Sequence, residues 1–152
     1  MKHIEQYIKA LTLATKLHNV TKDSSGMPYI DHAIRVALNL KGWSLKCAAL
    51  LHDVIEDCGV TAEYLLKEGV DPIVIEAVEH LTHKDGEDYE IYVQRCCNNL
   101  IARAVKRADI IDNSDESRPV SVKFRARLRL KYAKALNIID KYEENLTNNK
   151  EL

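Results

Sequence analysis

Apolar residues recur every three or four positions through most of this chain, and polar clusters with Gly, Pro, Asp or Asn cut the pattern into segments. Ile4, Tyr7, Ile8, Leu11, Ala14 and Leu17 share one helical face and predict a helix from Lys2 to Asn19. Thr21 to Pro28 is polar, holds Gly26 and reads as a loop. Pro28 suits the first turn of a second helix over Tyr29 to Lys41, with Ile30, Ala33, Ile34, Ala37 and Leu38 inward. Gly42 ends that helix, and Ser44 is the expected N-cap of the next. The following stretch, Ala48 to Asp57, is apolar around most of its circumference and predicts one buried helix.

Beyond Cys58-Gly59 the same signals continue. Thr61 caps a short helix that Gly69 ends, and Asp71-Pro72 opens another with Asp as N-cap and Pro at the first position. His83 to Asp88 is a charged loop, followed by a helix with Tyr89, Tyr92, Val93 and Cys96 inward. Asn98-Asn99 precedes a helix over Ile101 to Asp109. Ser114 to Ser121, with Pro119, is a polar link to a last helix over Val122 to Tyr142. The β-branched run around Val70 to Val78 lacks a period of two, and Pro72 argues against a central strand. The chain is therefore expected to be all-α, a compact single domain of about seven to eight helices. The domain is expected over 1–145, with 146–152 as a flexible C-terminal tail.

The 152 residues suffice for one core, and the formal net charge of −1 gives no electrostatic case for nucleic acid or an anionic membrane. No apolar run reaches the ~20 residues of a membrane span. The start, Met1-Lys2-His3-Ile4-Glu5, carries charge and lacks the apolar core of a signal peptide. Cys47, Cys58, Cys96 and Cys97 form no C-x-x-C pair, so reduced thiols and a cytoplasmic location are expected.

The chemistry concentrates where polar residues interrupt apolar sequence. His52 and Glu56 are one helical turn apart, as are Asp53 and Asp57. A buried carboxylate needs a partner or a metal, because desolvating it alone costs several kcal/mol (order of magnitude). The alternative is an amphipathic helix with a solvated acidic edge. Two other segments add similar groups: His32 beside the 21–28 loop, and Asp109 between Ala108 and Ile110-Ile111. His32, His52, Asp53 and Asp109 make a mixed N/O ligand set that suits one Mn²⁺, Fe²⁺ or Zn²⁺ ion rather than Ca²⁺.

These residues carry a resemblance. The order H…HD…D resembles the HD phosphohydrolase superfamily, and the flanking motifs are similar to the hydrolase domain of Rel/SpoT enzymes and to single-domain small alarmone hydrolases. The motifs are Gly26-x-Pro28-Tyr29-x-x-His32, Ala49 to Asp57 as HDxxED, Leu81-Thr82, Tyr89-x-x-Tyr92, and Val105-Lys106-x-Ala108-Asp109-x-x-Asp112-Asn113. The resemblance implies an HD-type helical bundle in which His32, His52, Asp53 and Asp109 bind Mn²⁺. It implies that Glu56 and Asp57 position and activate water, and that Asn113 contacts the nucleotide. Lys22, Tyr29 and Arg129 complete the expected substrate contacts. The implied reaction is hydrolysis of the 3′-diphosphate of (p)ppGpp, with a small phosphorylated nucleotide as partner and neither nucleic acid nor membrane. A phosphatase acting on another nucleotide, such as NADPH, and a catalytically silent nucleotide-binding module are the alternatives.

One departure bears on substrate. Alarmone hydrolases of this type carry an Arg-Lys pair before the glycine, and here Asp23-Ser24 occupy those places, with Lys22 the nearby cation. An Asp cannot reproduce an Arg contact and repels phosphate. The basic run Arg125, Arg127, Arg129, Lys131 reads mostly as a solvated helix face, and Arg118 either as a phosphate contact or as an anchor of the link. His80 and His83 flank a charged loop and read as solvent-facing, and His18 as structural.

Overall fold

The computed structural model describes residues 2–115 and 121–148. Among them the chain forms α1 (Lys2–Leu17), α2 (Tyr29–Leu38), α3 (Trp43–Leu51), α4 (Val54–Cys58), α5 (Ala62–Lys67), α6 (Pro72–Leu81), α7 (Tyr89–Cys97), α8 (Leu100–Asn113) and α9 (Val122–Asn148). An isolated bridge between Lys22 and Pro28 is the one extended pairing among these residues. The fold is all-α, as the apolar spacing predicts.

α3 is the hub. Cys47, Ala48, Ala49, Leu50 and Leu51 are buried, and the helix packs against α1, α2, α6 and α8. Alanines at the contact let neighbouring backbones approach, while Leu50 and Leu51 fill the space between them. α8 then joins α2, α3, α6 and α7, and α9 lies across α7 and α8. The site described below is built where α2, α3 and α8 meet.

Local signals account for most boundaries. Thr61 accepts from the Tyr64 amide, and Asp71 accepts from the Ile73 amide with Pro72 behind it. Asp88 and Asn99 cap α7 and α8 in the same way. Four expectations change. α3 begins at Trp43 behind Gly42 (φ 102°), with no side-chain cap, so Ser44 lies inside the helix; that positive φ suits glycine and reverses the chain one residue earlier. α2 stops at Leu38. α8 runs on to Asn113, because its polar end is held by packing and side-chain pairing that hydrophobic spacing does not display. α9 continues to Asn148, beyond the expected end at Tyr142, and residues 149–152 of the expected tail lie outside the described residues. Arg118 and Pro119 lie outside the described residues.

The fifth difference matters for chemistry. The expected single helix over Ala48 to Asp57 is interrupted at His52-Asp53, which adds one segment to the anticipated number. Asp53 sits at φ −110°, ψ 5°, the sparsely populated bridge region common at functional sites. The Asp57 amide donates back to the Asp53 carbonyl (2.8 Å), which restarts the helix.

Candidate metal centre

His32 comes from the first turn of α2, His52 from the end of α3, and Asp109 from α8. All three are buried, at 2%, 2% and 6% relative exposure. His32 Nε2 lies 3.2 Å from Asp109 Oδ1, and His52 Nε2 lies 3.8 Å from the same oxygen. One donor atom from each of the three residues falls within 4.8 Å of the others. Asp53 stands at the rim of this set, with Oδ2 3.2 Å from His52 Nε2, and receives a hydrogen bond from the Tyr29 hydroxyl.

Each inward atom is aimed by a bond on its far side. His52 Nδ1 is 2.7 Å from the Ala49 carbonyl, to which its N–H donates, so Nε2 presents a lone pair. His32 Nδ1 is 2.7 Å from Asp112 Oδ2. Asp112 is itself gripped by Arg35, whose Nε and Nη2 donate to its two oxygens at 2.8 and 3.0 Å. Asp109 Oδ2 accepts from Lys106 Nζ (2.9 Å), and Oδ1 accepts from Asn113 Nδ2 (2.6 Å). Such outer bonds fix tautomer and direction in metal sites. Two imidazole nitrogens and carboxylate oxygens converging at a buried point fit a divalent ion.

The electrostatics agree. Burial pulls the His52 pKa down, but Asp53 and Asp109 outweigh it and hold the imidazole above its ordinary value. Burial likewise opposes ionisation of Asp109, and Lys106 with the two histidines holds the carboxyl well below its usual range. Ion and proton therefore compete for the same nitrogens.

A cleft of about 340 Å³ opens beside the triad, and Glu56, Asp57, Lys22, Tyr29 and Asn113 line it. Burial and then the charges of Asp53 and Glu56 push the Asp57 carboxyl up to about 6. Glu56 Oε2 accepts from the His83 amide (2.9 Å), which ties α4 to the 82–88 loop. That loop is braced by Arg95, which donates to both Glu87 oxygens and to the carbonyls of Glu79, His80 and Thr82. His80 Nδ1 and His83 Nε2 bond to the carbonyls of Arg95 and Glu87, so both serve the loop. His18 is buried against Tyr29, ring centroids 4.5 Å apart, in a structural position.

Arg129 lies outside the residues that line the cleft. It is exposed on α9, whereas Lys131, two residues on, lines the cleft. Sequence reasoning also gave no role to Lys106, Asp112 or Arg35. Lys106 and Asp112 each lie three residues from Asp109 in α8, so helical phase alone places them on its face. Asp23 and Ser24 do line the cleft. The Asp23 carboxylate, however, accepts from Ser25 N, Ser25 Oγ and Met27 N, so it caps its own loop.

Known proteins can now be set beside this geometry. The family profile of the HD domain matches residues 10–90. The chain belongs to the HD-domain family. Among its relatives is the guanosine-3′,5′-bis(diphosphate) 3′-pyrophosphohydrolase of Aquifex aeolicus, 30% identical over 124 residues, which are 74% of this chain and 18% of that protein. The enzymes of the same name from Vibrio cholerae and Borreliella burgdorferi are 46% identical over 66 residues and 45% over 64. Those matches cover 41% and 40% of this chain, and 9% and 10% of the relatives. The chain thus spans less than a fifth of the length of these relatives. A solved metazoan ortholog of SpoT that hydrolyses ppGpp superposes with a TM-score of 0.73 over 88% of this chain and 85% of that one, at 22% identity, and shares the fold. HD domains bind a divalent metal, and the His/Asp set is this chain's place for one. Among the described residues no helix is long and apolar enough to cross a membrane, and all four cysteines are free thiols.

Proposed function

We propose that this HD domain is a Mn²⁺-dependent hydrolase of a phosphorylated nucleotide, and that it removes the 3′-diphosphate of (p)ppGpp. The observation that carries the reading is the buried convergence of His32, His52 and Asp109 beside a cleft edged by Glu56 and Asp57. The relatives named for that activity supply the substrate. Asp53 is the fourth ligand in this reading. A bound divalent ion supplies an acidified water and offsets charge on phosphoryl oxygens.

The chain's own residues do the rest. Tyr29 holds Asp53 in place from outside. Lys106 occupies one oxygen of Asp109, so the other is the one offered inward. Asp57, raised toward neutral pH, is suited to take the proton of the attacking water, and Glu56 is held beside it by the His83 amide. Lys106 and Lys131 bring positive charge to the cleft and face the polyanion. Asn113 and Lys22 line the cleft within reach of the nucleoside.

The Asp23-Ser24 loop favours a second reading at the level of substrate. Without the Arg-Lys pair, another phosphorylated nucleotide such as NADPH fits the same chemistry. The deciding experiment is a screen of ppGpp, pppGpp, NADPH and nucleoside phosphates with Mn²⁺, read by release of phosphate or pyrophosphate. Metal analysis accompanies it: one ion per wild-type chain and none in His52→Ala are expected. Two ions, or one retained in that variant, would remove the ligand assignment.

A further inference from the structure

The hydroxyl of Tyr89 is, among the described residues, the buried side-chain polar atom without a hydrogen-bond partner. Such atoms are rare in native proteins and call for a partner that the fold itself does not provide. Tyr89 lies on the wall of the metal cleft, at the first position of α7. Its neighbour Tyr92 shows the ordinary solution, since that hydroxyl donates to the Leu81 carbonyl.

The surroundings of Tyr89 identify the missing partner by charge. Lys131 Nζ lies 3.9 Å from the centroid of its ring, and Lys106 Nζ lies 5.7 Å from it. Both ammonium groups line the same cleft. Among the described residues no carboxylate pairs with Lys131; its contacts are the rings of Tyr89 and Tyr132. Two cations and an unused O–H in one wall form a set of donors. A cation would be repelled there, whereas an oxyanion can accept from the Tyr89 hydroxyl and from Lys131 with the added attraction of Lys106, which is already bonded to Asp109.

We infer that Tyr89, Lys106 and Lys131 form an anion subsite in the metal cleft, where the Tyr89 hydroxyl donates to a phosphoryl oxygen of the ligand. This rests on the nucleotide reading for its physiological ligand, though not for its test. The subsite distinguishes phosphorylated nucleotides from bare nucleosides.

The test uses the full chain loaded with one equivalent of Mn²⁺ and inorganic pyrophosphate as the probe, titrated by calorimetry. Tyr89→Phe should weaken pyrophosphate binding roughly ten- to hundredfold, the scale of one hydrogen bond to a charged acceptor. The same variant should keep or raise the urea midpoint of unfolding, because no protein partner is lost. Tyr92→Phe should do the reverse, lowering the midpoint with little effect on pyrophosphate. An unchanged dissociation constant in Tyr89→Phe, or no pyrophosphate binding by the wild type, would overturn the subsite. So would a drop in unfolding midpoint equal to that of Tyr92→Phe, which would reveal an internal partner. Pyrophosphate binding that depends on Tyr89 in a chain that hydrolyses no nucleotide supports the subsite and sinks only the activity. Normal hydrolysis with unchanged binding and KM in Tyr89→Phe does the opposite.

Discussion

Removing Asp109 should do more than empty the metal site. Lys106 and Asp109 are 8% and 6% exposed, and their 2.9 Å contact is the ammonium's one carboxylate bond among the described residues. Asp109→Ala therefore strands a buried cation between the rings of Tyr92 (4.8 Å) and Tyr89 (5.7 Å). Breaking a buried pair from one side typically costs about 3–5 kcal/mol, because the remaining charge stays desolvated. For a chain of this size each kcal/mol moves Tm by about 2–4 °C, so a fall of roughly 6–20 °C is expected. The measurement is urea and thermal unfolding of metal-free protein, so that no metal-linked stability enters. Lys106→Met in the Asp109→Ala background removes the stranded charge and should recover most of the loss, giving a large favourable coupling. The reasoning fails if Asp109→Ala costs less than about 1 kcal/mol, a surface-like value. It fails equally if the two substitutions simply add, which would mean the ammonium reaches water along its own stem. Metal binding by Asp109 variants is thus best read in the double variant, where a folded chain is assured.

The remaining predictions follow from the cleft and its loops. Asp57→Asn should retain one metal ion and lose about 10²–10⁴-fold in turnover, the usual worth of a general base; elemental analysis with steady-state kinetics checks both parts. Arg95 holds the Glu87 carboxyl down at about 2, below the ~4.3 of an unfolded chain. The ion pair's contribution is therefore complete above the unfolded value and is lost as pH falls through the folded one, so wild type and Glu87→Gln should differ in urea midpoint at pH 7 and converge near pH 2. Ser24→Lys should tighten ppGpp binding in a salt-sensitive manner. Asp23→Arg should add less than charge alone predicts, because it also removes the cap on Ser25 and Met27; fluorescence titration at two salt concentrations separates the effects.

What the sequence reveals and what it hides divides along sequence distance. Thr61, Asp71-Pro72 and the apolar face of α6 act on residues within one turn, so their roles are visible locally. His32, His52 and Asp109, which the fold brings together, are legible because each sits in apolar sequence that would otherwise reject it. Arg35 and Asp112 are 77 residues apart, and only the packing of α2 on α8 makes them partners. The end of α8 was hidden for a related reason: Asp112 and Asn113 look like loop residues until their bonds to His32 and Asp109 are seen. For α9 the basic run gives no clear apolar phase, so Lys131 and Arg129 could not be ranked by facing.

The break at His52-Asp53 links these points to function. In an unbroken helix adjacent side chains diverge by about 100°, and two neighbours reach one ion only by strain. Placing Asp53 in the bridge region turns its carboxylate to within 3.2 Å of His52 Nε2. The segment is held in this conformation by the Ala49 carbonyl on His52 and by Tyr29 on Asp53. The inward donors are thus anchored from α2, α3 and α8, the rigid centre of the bundle. Glu56 and Asp57 lie on the exposed turn that follows, secured chiefly through the 82–88 loop. Under the proposed reading, this division lets the ligands stay fixed to within the narrow tolerance a metal site needs, while the two acids proposed to handle the water proton remain in contact with solvent.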